Sequence, residues 1–331
     1  MLLPFSFTPA IAGENAISEF RTVKINGTHL VFLIRGENRT NPVILFVHGG
    51  PGCSEIPYVV KYQRELEKYF TIVHYDQRGS GKSYHFGEDY SDLYVSVLIK
   101  DLTCCIEYVC DFLKKDKIIV AAHSYGTEIA TRTLALYPEK VQAYIGIGQM
   151  AYTNQSEKEG WNYCLNKARS HHQPKDCQRL LEMKEQIDAG KTAVPRKIIK
   201  KYGGKERLIN SDLDYLFSFL LRPEYSAVDM VRFVKGLFAS ARLFGTAEGQ
   251  TAEEVKALPF PVYILQGKYD YMTSTKIAKR YYDELEAPEK EFVLFEKSGH
   301  FPQFEENDKY AKWLIKKFVG GETRCPGNYK K

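Results

Sequence analysis

Short apolar runs separated by helix-length segments constrain this chain more than any other feature. The runs are Val43 to Val47, Phe70 to Tyr75, Lys117 to Ala122, Val141 to Ile147, Val262 to Gln266 and Glu291 to Phe295. Several carry Val and Ile at successive positions, so both faces of each strand are apolar and both must be covered. Helices packed on either side of a mostly parallel central sheet meet that demand, which makes the expected class α/β. Ahead of these runs, Phe20 to Ile25, the turn dipeptide Asn26-Gly27 and Leu30 to Ile34 read as a hairpin within residues 17 to 36. Between 151 and 245 the alternation stops. That segment is polar and aromatic, with helix-like stretches Ser211 to Leu221 and Ala227 to Phe244, and Pro259 and Pro261 mark the return to the sheet. The expected organisation is a core of residues 1–150 and 246–331 interrupted by a helical cap of residues 151–245.

Composition removes several function classes. A net charge of +5 is spread along the chain, with clusters at Arg196 to Lys205 and Lys330-Lys331 offset elsewhere, and no recognition module for nucleic acid is visible. Seven cysteines is an odd number, and Cys104 and Cys105 are adjacent, so a disulfide framework is not expected and a reducing compartment is. No cysteine or histidine spacing forms a zinc site, and no metal or organic cofactor is expected. The segment Met1 to Ala12 lacks a basic start and is broken by Pro4 and Pro9, which makes a poor secretory signal. No apolar run approaches the ~20 residues of a spanning helix. A cytoplasmic enzyme with neither membrane nor nucleic acid as partner is the expectation.

In an open parallel sheet, functional groups gather at the carboxyl ends of the strands. The loops there are His48-Gly-Gly-Pro-Gly52, Asp76-Gln-Arg-Gly-Ser-Gly-Lys-Ser83, Ala122-His-Ser-Tyr-Gly126, Gly267-Lys-Tyr-Asp270 and Ser298-Gly-His300. The second resembles a phosphate-binding loop, but Asp76 stands where the first glycine should be, and a carboxylate there repels phosphate. The third fits a nucleophile elbow, in which a tight strand-to-helix turn lifts a serine above the sheet; Ala122 replaces the usual first glycine. Ser124 could also serve only as a helix N-cap. The order decides between them: serine hydrolysis needs a base and an acid that orients it, and Ser124, Asp270 and His300 follow in the order this fold uses, each at a strand tip. His123 should point away from substrate, and His171-His172 fall in the polar insertion. Oxyanion donors are expected from the amides of Gly50 and Tyr125, although the glycine-proline loop could be only a tight turn.

His48-Gly-Gly-Pro-Gly52, the Asp76 stretch and the elbow together resemble the proline iminopeptidase group of α/β-hydrolases, a family of serine peptidases. The resemblance covers residues 17–150 and 246–320. It implies an α/β-hydrolase fold, a Ser124, Asp270, His300 triad, an oxyanion hole at Gly50 and Tyr125, and a helical cap over the site. On this reading Asp76 and Arg78 tie strand-tip loops together, and Lys82 is a solvated residue. Relatives that remove an N-terminal proline hold the substrate ammonium with cap carboxylates; Glu157, Glu159 and Glu224 are candidates, without a residue-by-residue match. Tyr152, Trp161, Tyr225 and Phe233 are candidates for an apolar pocket, Gln149 for a hydrogen bond into it or a tie between cap and core, and Cys53 for a thiol beside the oxyanion loop. The expected activity is an aminopeptidase on short peptides. The alternatives are an esterase, amidase or lactonase with the same triad, or a ligand receptor with slow turnover.

Overall fold

The computed structural model describes residues 5–243 and 251–320. Met1 to Pro4, Phe244, the expected cap boundary at 245 and the Lys330-Lys331 pair lie outside the described residues. The strands are β1 (Ile17–Ile25), β2 (Thr28–Gly36), β3 (Val43–Val47), β4 (Thr71–Tyr75), β5 (Ile118–His123), β6 (Val141–Ile147), β7 (Val262–Gly267) and β8 (Lys290–Phe295). They form one sheet in the order β1-β2-β4-β3-β5-β6-β7-β8, antiparallel from β1 to β4 and parallel from β4 onward. The hairpin turns at Asn26 and Gly27, with φ of 43° and 86° and with Ile25 paired to Thr28. Two positive φ values in a two-residue loop are what the Asn-Gly dipeptide supplies.

The helices are α1 (Ile56–Gln63), α2 (Val95–Leu113), α3 (Tyr125–Leu136), α4 (Thr153–Ser170), α5 (Pro174–Glu182), α6 (Lys184–Asp188), α7 (Arg196–Lys201), α8 (Ser211–Leu221), α9 (Ala227–Ser240), α10 (Thr251–Glu254), α11 (Thr275–Glu284), α12 (Pro302–Glu305) and α13 (Asn307–Phe318). Side chains alternate across the sheet. Val47, Val120 and Ala122 face one way and meet Ile129 of α3 and Tyr281 of α11 in one core. Ile44, Ile119 and Ile145 face the other way and meet Tyr310, Leu314 and Ile315 of α13 in a second core. The runs of unbroken Val and Ile are thus explained by two covered faces.

Helices α4 to α9 all fall between β6 and β7 and form the cap. Its first part has its own core around Trp161, Leu165, Leu180 and Ile199. Its second part, α8 and α9, packs through Tyr225 and Phe233 onto Leu33 of β2 and Ile56 and Val60 of α1. Lys82 corrects the sequence reading here. It is buried, and its ammonium contacts Asp229 of α9 at 2.6 Å. Asp229 also closes a capping box with Ser226 at the start of α9. Burial works to raise the Asp229 carboxyl, but Lys82 and the Ser226 hydrogen bonds outweigh it and hold the pKa at about 2. A lysine in a loop is normally solvated; this one is covered because the cap docks on that loop. Asp76 and Arg78 do knit loops. Asp76 Oδ2 accepts from the Lys82 amide and the Tyr225 hydroxyl, each at 2.7 Å, and Arg78 grips Asp101 of α2 at 2.7 and 2.8 Å while donating to the Asn26 carbonyl. Among the described residues no helix is long and apolar enough to cross a membrane.

Candidate active site

Ser124 sits between β5 and α3 with φ 53° and ψ −124°. Few non-glycine residues adopt positive φ, and such an outlier persists only where its surroundings impose it. The imposing contact is Gly126, where a Cβ would lie 2.2 Å from the Val47 carbonyl oxygen, so α3 starts hard against β3 and forces the turn. Ser124 occupies the N-cap position, yet its side chain makes no capping hydrogen bond. The hydroxyl is therefore not committed to the helix, and Ser124 keeps partial exposure.

The loops after β7 and β8 bring Asp270 and His300 together. His300 Nδ1 lies 2.8 Å from Asp270 Oδ2, and both residues are buried. Asp270 is oriented in turn by the amides of Met272 and Thr273 on Oδ1, each at 2.9 Å, and by Thr273 Oγ1 and Gln266 Nε2 on Oδ2. Burial depresses the His300 pKa by more than Asp270 raises it, so the ring rests neutral, the form a general base requires. Gly148, at the tip of β6, provides room: a Cβ there would come within 3.0 Å of the His300 ring.

The backbone of His300 is held from two sides that the sequence did not reveal. Its amide donates to the Lys205 carbonyl of the cap at 2.7 Å. Its carbonyl faces Nε2 of His123 at 2.9 Å, and Nδ1 of His123 lies 2.6 Å from Glu55 Oε1. Both partners of the His123 ring are acceptors, so the ring is placed to donate twice, as an imidazolium does. Burial alone lowers a histidine pKa, but Glu55 outweighs it and lifts His123 above its usual value. Glu305 of α12 adds a further strap, with Oε2 accepting from the amides of Arg207 and Leu208 and Oε1 from Gly299. His123 was visible in the elbow motif; the matching of Glu55, Lys205 and Glu305 to it and to the His300 loop has no sequence signal.

Gly50 lies in the loop after β3 with φ 121°, and Tyr125 is the first residue of α3. An amide in the first turn of a helix has no intrahelical acceptor and sits at the positive end of the helix dipole, which suits an oxyanion. Cys53 follows this loop, and burial pushes its thiol up to about 11.

The cap residues singled out from the sequence are mostly engaged elsewhere. Glu157 pairs with Arg196 at 2.6 Å and accepts from the Val194 amide, and Glu159 pairs with Lys276 at 2.8 Å. Trp161 donates to the Leu180 carbonyl inside the cap core. Tyr152 bonds through its hydroxyl to Glu284 of α11. Tyr225 bonds to Asp76 and to Ser54, joining cap to core. Gln149 accepts from the Tyr144 hydroxyl and donates to the Met150 carbonyl, so its amide ties the end of β6 internally. Glu224 is buried, with neither carboxylate oxygen bonded to another residue among those described. Burial raises its pKa, and the charges acting on it are Arg222, Arg35 and Arg64. Arg35 pairs in register with Ile72 at the start of β4, the opposite end of that strand from the candidate site. Two shallow depressions on the cap, one of them lined by Lys167, His171 and Tyr202, include no triad residue.

A mostly parallel sheet with this strand order, a tight β5-to-α3 turn and helices inserted between β6 and β7 define a class. The profile of the α/β hydrolase fold family matches residues 42–307, and the chain belongs to that family. Its relatives include a probable aminopeptidase, YbaC, of Bacillus subtilis, 32% identical over 313 residues that cover 92% of this chain and 97% of the relative. A proline iminopeptidase of Saccharolobus solfataricus is 26% identical over 320 residues, 90% of each chain. Among solved structures, a proline iminopeptidase-related protein of Thermus thermophilus superposes with a TM-score of 0.63 at 16% identity, covering 92% of this chain and 98% of that one, a likeness of fold.

Proposed function

We propose that the protein is a serine hydrolase that cleaves a small amide or ester through an acyl-enzyme, acting as an aminopeptidase on short peptides. The observation that carries this reading is the His300 to Asp270 hydrogen bond of 2.8 Å, together with a serine held at φ 53° at the strand-to-helix turn. Ser124 Oγ attacks the carbonyl carbon as its proton passes to His300 Nε2, and Asp270 supports the imidazolium that forms. The amides of Gly50 and Tyr125 receive the negative charge that develops on the carbonyl oxygen. His300 then returns the proton to the leaving amine or alcohol, and water, deprotonated by the same ring, releases the acid. The names of the relatives support the aminopeptidase branch.

A second reading, an esterase, amidase or lactonase, is favoured by the cap. Glu157 and Glu159 are already neutralised by Arg196 and Lys276 and so are not free to hold a substrate ammonium. Initial rates on a proline anilide and a short acyl ester, for wild type and Ser124→Ala, test both readings. The substitution should reduce turnover by ~10³-fold or more. Dominant anilide cleavage supports the aminopeptidase, Ser124-dependent ester cleavage alone supports the second reading, and undiminished turnover by the alanine variant refutes both.

A further inference from the structure

The outer face of the α8–α9 hairpin is as apolar as its inner face. Inward, Tyr215 and Phe219 of α8 meet Phe233 of α9 at ring-centroid distances of 5.1 and 5.2 Å and seal the hairpin onto the core. Outward, α8 presents Leu213, Leu216, Phe217, Leu220 and Leu221, at the three- and four-residue spacing that makes one stripe. Val228, Val231, Val234 and Phe238 make the corresponding stripe on α9. These side chains are 43% to 77% exposed. Summed over the two stripes, they leave on the order of 900 Å² of apolar surface in water, comparable to the about 800 Å² that each partner of a standard-size interface buries.

The rim does not point to a charged partner. Asp212 and Asp214 on α8 are paired with Lys200 and Lys61, and Arg232 on α9 with Asp229. Lys235 remains on the α9 side, with an aliphatic stem long enough to reach past an apolar contact. With its acids and Arg232 neutralised, the surface offers shape and apolar area, and an identical surface related by a two-fold axis offers the same in return. We propose that this face is the two-fold interface of a homodimer, in which the α8–α9 hairpin of one copy packs against that of a second. The inner side of the same hairpin touches the candidate oxyanion loop, since the Tyr215 hydroxyl donates to the Ser54 carbonyl at 2.9 Å. Dimerisation would therefore hold the cap against that loop from outside.

Sedimentation velocity of the full chain from about 1 to about 100 μM tests the interface. The wild type should run at twice the monomer mass. Phe217→Glu combined with Phe238→Glu should raise the dissociation constant ~100-fold or more, because a charge is placed where water is excluded. Both sites are exposed in the single chain, so circular dichroism of the variant should match the wild type. Leu181→Glu, at an exposed apolar residue of α5 outside the hairpin, should leave the dimer intact. A wild type that stays monomeric at the highest concentration overturns the proposal, as does a double variant that still dimerises. Monomers that instead co-sediment with phosphatidylcholine vesicles would also overturn it and make a lipid surface the occupant.

Discussion

His300 is fixed at its ring by Asp270, at its amide by Lys205 and at its carbonyl by His123. The third restraint is backed by Glu55, which lies 2.6 Å from the other nitrogen of the buried His123 ring and outweighs burial to raise its pKa. A general base displaced by a fraction of an ångström loses rate more than affinity. His123→Phe keeps a ring in place and removes the donor to the His300 carbonyl, so kcat should fall about tenfold while KM changes less than about twofold. His123→Gln can still donate to that carbonyl and should recover most of the loss. Turnover by the phenylalanine variant at the wild-type rate would show that His300 needs no support from the elbow. The proposed triad could be nominated from sequence because chemistry restricts residue type and the fold restricts order, so Ser124, Asp270 and His300 stood out as candidates at strand tips. Glu55 was not readable, since a carboxylate at the start of a helix is ordinary until a buried histidine stands beside it.

The cap is where sequence and structure part at the level of elements. Its helices were expected from pattern, and α8 runs over the Ser211 to Leu221 stretch singled out in advance. What it docks on was not. Lys82 and Asp229 are 147 positions apart, and neither neighbourhood announces the other. Removing one member of a buried pair costs about 3–5 kcal/mol when the other is left uncompensated, and Asp229 deprived of Lys82 keeps Arg232 and Ser226 as partners, which puts the loss at the lower end. Lys82→Met should accordingly lower stability by ~3 kcal/mol in chemical denaturation, and adding Asp229→Asn should restore part of it. Equal losses for the single and double variants would mean that the pair holds α9 through packing and not charge. Glu157 and Glu159 teach the same point: acidic residues in a polar cap were candidates for a ligand, and their neighbours in space turned out to be Arg196 and Lys276.

Across the whole molecule, buried histidines couple stability to pH. His74 of β4 stacks on Phe46 at 4.7 Å and bonds to Gln63, and burial brings its pKa down to about 4. Between pH 6.5 and about 4 the unfolded chain takes up a proton that the native ring refuses, so stability falls with falling pH, by up to about 3 kcal/mol for this residue. His48 and His300 are lowered in the same direction. His123 is raised, so its contribution is full below its unfolded pKa and fades as pH rises through its folded value. Melting temperature should therefore fall on going from pH 7 to 4.5, and less so for His74→Asn; parallel curves for the two proteins would count against His74. The sequence by itself determined the sheet, because Val and Ile on both faces of a strand can be satisfied only between two layers of helix, and it determined the order in which the candidate residues Ser124, Asp270 and His300 follow one another. Tertiary structure alone decided which charges meet, how His300 is restrained and which face of the cap remains apolar and open, because those depend on contacts between segments that are distant along the chain and close only once it has folded.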